Sequence, residues 1–68
     1  MLTLKFHDKS TDEWEVVSAE RYYVKPVDSV KQVTTYGTDD ITFTVGVGGY
    51  DVCYVVNIEG NTVDRIHP

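Results

Sequence analysis

The sequence has few of the residues that strengthen small folds or bind polyanions. Cys53 is the only cysteine in 68 residues, so no disulfide can form within the chain. A single cysteine of this kind is typical of a small core residue in a reducing compartment. Six basic residues stand against eleven acidic ones, a net charge of −5. Because binding to phosphates requires clustered Lys and Arg, this balance argues against direct binding to nucleic acid or an anionic membrane.

Long apolar runs and helical patterns are also missing. No stretch approaches the roughly 20 apolar residues of a membrane helix. The segment 1–5 lacks the charged and apolar blocks of a signal peptide. No segment keeps a helical period over about ten residues. We therefore expect one small soluble, cytoplasmic domain over residues 1–68, belonging to the all-β class.

Alternation of apolar and other residues is strongest between Ile41 and Ile58. The pair Gly48-Gly49 interrupts it and suits a type I′ turn, which needs positive φ at both central residues. This pattern predicts a hairpin with one apolar face and a more polar reverse face that includes Cys53 and Val55. The predicted core-face residues are Ile41, Phe43, Val45, Val47, Tyr50, Val52, Tyr54, Val56, Ile58 and Val63.

Two further hairpins are predicted on either side of this one. Near the N-terminus, Phe6 is expected opposite Trp14 and Leu4 opposite Val16, followed by a bulge or sharp bend at 18–20. After the central hairpin, a turn at Gly60-Asn61 makes the strand over residues 50–58 central and the strand over 62–67 an edge. The expected pairs there are Ile58 with Val63, Val56 with Arg65, and Val55 with Ile66.

The segment 27–36 leaves two alternatives open. Pro26 favours the end of a strand, and Asp28-Ser29 suits the start of a short helical turn over 30–33. The residues from 33 to 36 equally suit a strand, since Val and Thr favour β-structure. We predict an antiparallel meander of five or six strands, forming a curled sheet or an open barrel of the SH3-like type.

No arrangement of residues predicts catalysis, a metal site or a cofactor. His7 and Asp8 are adjacent on a strand and so point to opposite faces, and neither His67 nor Cys53 has a partner in any nucleophile motif. The segment from Asp8 to Asp12 lacks the glycine and the glutamate of a calcium loop. The glycines at 46–49 join two strands, so no helix N-terminus follows to bind an anion. We therefore expect a non-enzymatic protein.

Tyrosines and acidic residues are the candidates for partner contact. Tyrosine is common at interfaces, and since Tyr22 and Tyr23 point in opposite directions, one of them is expected outside. Residues 36–68 carry five acidic residues and one basic residue, a net charge of −4. The predicted partner-binding residues are Tyr22, Tyr23, Tyr36, Asp39, Asp40, Asp51, Glu59 and Asp64.

Our leading hypothesis is a protein-binding module whose acidic C-terminal hairpins bind a basic surface on a partner protein. In its small size, acidity and lack of motifs the chain resembles the short accessory proteins of phages and mobile elements, which implies an inhibitor or adaptor. One alternative is a structural homo-oligomer assembled through the edge strand at 62–67. Another is an acidic mimic of nucleic acid that blocks a nucleic-acid-binding protein.

Overall fold

Seven strands arranged in two antiparallel sheets make up the structure. The computed structural model describes all 68 residues and contains no helix, which confirms the all-β prediction, with more strands than the five or six expected. A four-stranded sheet has the order β2-β1-β6-β7, and a three-stranded sheet has the order β3-β4-β5. The strands are β1 (Leu2–Asp8), β2 (Glu13–Ala19), β3 (Arg21–Val27), β4 (Val30–Tyr36), β5 (Thr42–Val45), β6 (Val52–Val56) and β7 (Thr62–Ile66).

Aromatic side chains from both sheets meet in the core. Phe6 of β1 is fully buried and stacks on Phe43 of β5, with ring centroids 4.3 Å apart. Tyr50, which lies between β5 and β6, packs against Phe6 with a centroid separation of 5.4 Å. The remaining buried apolar residues are Leu4, Ala19, Val33, Val45, Val52, Cys53, Val55 and Ile66.

The predicted central hairpin is wrong, because its two strands belong to different sheets. β5 pairs with β4, where Phe43 lies opposite Val33, and β6 pairs with β1, where Cys53 lies opposite Phe6. Gly48 has a φ of +85°, but Gly49 is not in the positive region, so the pair does not form a type I′ turn. The glycine-rich segment 46–51 instead carries the chain from one sheet to the other.

From Cys53 onwards, the face of β6 that enters the core is the opposite of the one predicted, although Val52 is buried as expected. Cys53 and Val55 are fully buried, whereas Tyr54 and Val56 are only partly buried. Every residue from 52 to 56 is apolar or aromatic, so alternation alone cannot select one face. Outside the strand, Val47 and Ile58 were expected in the core but are 87% and 84% exposed.

The first hairpin exists, but its register differs by one residue from the prediction. Phe6 lies opposite Glu15, and Trp14 lies opposite His7. A shift of one residue turns a strand over, so Trp14 and Val16 point away from the core. The expected bend is present at Glu20, where the chain leaves β2 and enters β3 in the other sheet.

The segment 27–36 is a turn followed by a strand, and the helical turn does not form. β3 continues through Pro26 to Val27, and Asp28-Ser29 connect it to β4. Asp28 has a φ of +53°, a conformation that Asp tolerates better than most residues. Formation of β4 supplies the ladder between β3 and β5 that a helical turn would remove.

The last hairpin places β6 inside its sheet and β7 at the edge, as predicted. Its register differs by two residues from the prediction, since Cys53 lies opposite Ile66 and Val55 opposite Asp64. A bulge beside Val56 accounts for the irregular spacing near the turn.

The register of the first hairpin can be tested with Trp14, the only tryptophan. Because Trp14 is 50% exposed, we expect its fluorescence in the native protein to be quenched readily by acrylamide. Phe6→Ala should lower the free energy of unfolding by about 3–5 kcal/mol, and Trp14→Ala by much less, since only Phe6 is fully buried. Protection of Trp14 from acrylamide in the native state would contradict this register.

The role of the glycine pair can be tested with two alanine variants in urea unfolding. A Cβ at Gly48 would meet no atom within 4 Å, so Gly48→Ala should cost only the strain of its positive φ, about 1–2 kcal/mol. A Cβ at Gly49 would collide with the backbone carbonyl of Thr44. We therefore expect Gly49→Ala to be clearly the more destabilising variant. Equal losses would instead indicate a two-glycine hairpin turn.

Candidate binding surfaces

The predicted tyrosines lie on two sides of the three-stranded sheet. Tyr23 is 59% exposed on its outer face, and Tyr36 lies on the same face, diagonally across from Tyr23 in the β3–β4 ladder. The Arg21 guanidinium lies over the Tyr36 ring, 5.3 Å from its centroid. Tyr22 points inward and donates a 2.6 Å hydrogen bond to a carboxylate oxygen of Asp64. The structure therefore groups Tyr23 with Tyr36 and separates them from Tyr22.

The predicted acidic residues do not form one surface. Asp40 precedes β5 and Asp51 follows it, so they lie at opposite ends of that strand. Asp51 and Glu59 are likewise separated by the length of β6, and Asp39 lies beside Asp40. Asp51 accepts a 2.6 Å hydrogen bond from the backbone N–H of Lys9, and Asp64 accepts the bond from Tyr22. Two of the five carboxylates thus hold neighbouring segments together.

Charge is distributed unevenly between the faces of the sheets and their ends. Lys5 and Arg65 alternate with the buried residues of the four-stranded sheet and so point outward. Arg21 and Lys25 occupy the same kind of position on the three-stranded sheet. No Asp or Glu points outward from the middle of either sheet. The acidic residues lie in connections, at strand ends or at inward positions on edge strands. The acidic charge therefore surrounds two faces whose own charge is positive.

A row of interacting side chains crosses all four strands of the larger sheet. The His7 and Trp14 rings stack with centroids 4.1 Å apart, and the Trp14 and Tyr54 rings are 6.0 Å apart. The Arg65 guanidinium lies over the Tyr54 ring, 5.7 Å from its centroid. Lys5 and Val16 lie on the same face. We call this surface, formed by Lys5, His7, Trp14, Val16, Tyr54 and Arg65, the aromatic face.

A depression adjoins Lys5 at the edge of the aromatic face. Its volume is about 400 Å³. Three of its lining residues are apolar, namely Met1, Val56 and Ile58. Met1 and Ile58 are largely exposed. Thr3, Lys5, Asn57 and Gly60 complete its lining, and we call it the apolar depression.

A second, more polar depression of about 790 Å³ lies among the loops at the other end of the sheets. Its carboxylates are already bonded within the protein. The side chain and backbone N–H of Ser10 donate to Asp8 and lower the pKa of that carboxyl group. Asp51 is bonded to the backbone of Lys9. These contacts stabilise the loops, and no group of three or more His, Cys, Asp or Glu side chains is placed to hold a metal ion.

The residues that most often perform acid-base or nucleophilic chemistry have structural environments here. Cys53 is fully buried, and its burial, with a smaller effect from Asp64, raises the pKa of the thiol to about 12. A thiol of this kind is unreactive because the thiolate is the nucleophile. The His7 side chain is only 16% exposed. It stacks on Trp14, and its Nε2 lies 2.9 Å from Asp12.

The sequence did not reveal the aromatic face because β2 and β6 each carry apolar residues on both sides. Trp14 and Val16 alternate as regularly as Val17 and Ala19 do, and the wrong set was assigned to the core. A signal was present in β1, where Thr3, Lys5 and His7 alternate with apolar residues and so indicate a polar outer face. Considering both registers of the first hairpin would have placed Lys5 and Trp14 on one outer face.

The structure contains no helix long and apolar enough to cross a membrane. Comparison of the chain with protein-family models, with curated proteins and with solved structures finds no match. The surfaces described above are therefore the features of this chain that point to a function.

The bond between Tyr22 and Asp64 predicts a dependence of stability on alkaline pH. Burial, together with the hydrogen bond to Asp64 and its charge, raises the pKa of Tyr22 to about 12. An unfolded tyrosine ionises near pH 10, so Tyr22 contributes stability fully below about pH 10 and loses that contribution as the pH rises towards 12. Urea midpoints should fall more between pH 9 and about pH 11.5 in the native sequence than in Tyr22→Phe. The control Tyr23→Phe should behave like the native sequence. If the urea midpoint of Tyr22→Phe fell as much as that of the native sequence, the pH dependence could not be assigned to Tyr22.

Proposed function

We propose that this chain is a non-enzymatic protein-binding module that contacts its partner through the aromatic face. The observation that carries the proposal is the exposed row of Trp14, Tyr54 and Arg65 with Val16 beside it. Trp14 and Val16 are 50% and 53% exposed, although both side chains are large and apolar. Trp, Tyr and Arg are the residues most enriched at the energetic centres of protein interfaces. Burying this row against a partner would remove apolar surface from water.

The rigidity of the row adds to this argument. Trp14 is held by stacking on His7, and Tyr54 lies between Trp14 and the Arg65 guanidinium. Side chains that are ordered before binding lose little conformational entropy when a partner arrives. A small adaptor or inhibitor requires no chemistry beyond such a surface.

The aromatic face supports this function better than the acidic residues do. A carboxylate surface for a basic partner needs neighbouring charges, but Asp40 and Asp51 lie at opposite ends of β5. An acidic mimic of nucleic acid would need a still denser row. The proposed function is therefore still a protein-binding module, but its contact surface is the four-stranded sheet rather than the acidic C-terminal residues.

Self-assembly through β7 is a second candidate function. β7 lies at the edge of its sheet, and its residues from 62 to 65 are exposed. An edge strand leaves backbone N–H and C=O groups free to pair with another strand. In this arrangement two copies would join their four-stranded sheets side by side.

Site-specific photo-crosslinking in cells tests the proposed function. A photoreactive phenylalanine analogue replaces Val16 on the aromatic face, or, as a matched control, exposed Thr42 on the outer face of the other sheet. We expect a discrete adduct with a different protein from position 16, much less from position 42, and loss of the adduct when Trp14→Ala is added.

Two other results would contradict the proposed function. Equal adducts from both positions would indicate non-specific encounter. A dimer-sized adduct from position 16, which lies on β2 at the far edge of the sheet from β7, would show that the aromatic face contacts a second copy of the chain rather than a different protein. Circular dichroism of each variant verifies that the fold is retained.

A further inference from the structure

We propose that the partner of the aromatic face is an acidic segment of another protein, in which carboxylates flank an apolar side chain. This inference depends on the proposed function and specifies the class of partner. Lys5 and Arg65 would bind the carboxylates, and the apolar depression would receive the apolar side chain.

The two cations of the aromatic face, Lys5 and Arg65, have no ionic partner within the chain. The chain has eleven acidic residues, yet the only ion pair joins His7 and Asp12. Neither Lys5 nor Arg65 has a carboxylate oxygen within 4 Å of its charged nitrogens. In a protein with a net charge of −5, two unpaired cations on one face leave that face complementary to carboxylates.

The spacing between Lys5 and Arg65 also fits an extended acidic segment. Lys5 and Arg65 both lie opposite Tyr54, one on each neighbouring strand. Neighbouring strands are about 4.8 Å apart, so their backbones are roughly 10 Å apart across Tyr54. An extended segment rises by about 3.3 Å per residue, so carboxylates two to four residues apart span this distance with the reach of the Lys and Arg side chains. Tyr54 then lies beneath the middle of the segment.

The position of the apolar depression fits the same segment. Lys5 lines it together with Met1, Val56 and Ile58, so a cation and an apolar recess share one border. Side chains two residues apart in an extended segment point to the same side, so a carboxylate on Lys5 would place the apolar side chain two residues further along at this recess. Apolar burial would supply affinity, and the flanking charges would set the orientation.

Charge argues against the other occupants of this face. Nucleic acid binding needs several phosphate contacts, whereas this face offers two cations within a strongly acidic molecule. A second copy packed symmetrically on the same face would bring Lys5 and Arg65 of the two copies together. Such like-charge contacts are unfavourable. An acidic segment avoids both problems because it carries only a few negative charges, within a short stretch that two cations can bind.

Selection of peptides from a random displayed library on the immobilised full chain tests this proposal. The enriched peptides should contain Asp or Glu on both sides of a Leu, Ile, Phe or Trp. Lys5→Gln combined with Arg65→Gln should weaken the best peptide about tenfold or more, and salt should weaken it in the native sequence. Arg21→Gln combined with Lys25→Gln removes the same charge from the other sheet and should leave the affinity unchanged.

The outcomes separate this inference from the proposed function. Enrichment of neutral or basic peptides that still require Trp14 would overturn the acidic partner and leave the aromatic face as a docking surface. Peptides that bind equally well to Trp14→Ala would contradict the docking surface itself. In a competition assay, single-stranded oligothymidylate and free peptide are each used to displace the bound best peptide. If the oligothymidylate displaces it at the lower concentration, nucleic acid is the better ligand and the proposal is overturned.

Discussion

The contact between Phe6 and Phe43 joins the two sheets, and most of the structure depends on it. The four-stranded and three-stranded sheets have separate ladders, so side-chain packing must hold them together. Phe6 and Phe43 stack at 4.3 Å, and Tyr50 packs against both rings from the segment that links the sheets. In a chain of 68 residues only ten residues are buried, and Phe6 is the largest of them, while Phe43 and Tyr50 pack against this small core. A register shift in β1 would turn Phe6 away from Phe43 and remove this aromatic contact between the two sheets.

This constraint also explains why an aromatic face remains on the outside. The core has space for one face of β1, β2 and β6, and those strands carry large side chains on both faces. Leu4, Phe6 and Val55 enter the core, and Trp14 and Tyr54 are left on the outer surface. They interact with each other and with Arg65, which orders them without burying them. The exposed row is therefore a direct result of how a small core is filled.

Local sequence patterns predicted the kind of structure better than its pairing. The all-β class, the bend at Glu20 and the inner position of β6 followed from alternation and from residues that favour turns. Register did not, because residues 52–56 are apolar throughout and offer two equivalent faces. The Gly48-Gly49 pair was consistent with a hairpin, but β5 pairs with β4 and β6 with β1, so the chain crosses between sheets there. For the candidate surface, one of Tyr22 and Tyr23 was expected outside, and the exposed one is Tyr23. The face with Trp14 and Tyr54 depended on the register that alternation could not determine.

The position of β1 between β2 and β6 has a consequence for how the protein folds during synthesis. β1 meets β2 almost at once, but a two-stranded hairpin alone is marginal in water. Its second neighbour, β6, follows only after the whole three-stranded sheet has been made. Until then the free edge of β1 exposes Leu4 and Phe6 beside unpaired backbone groups. The nascent chain therefore reaches its stable form late, and pairings distant in sequence of this kind make folding slow.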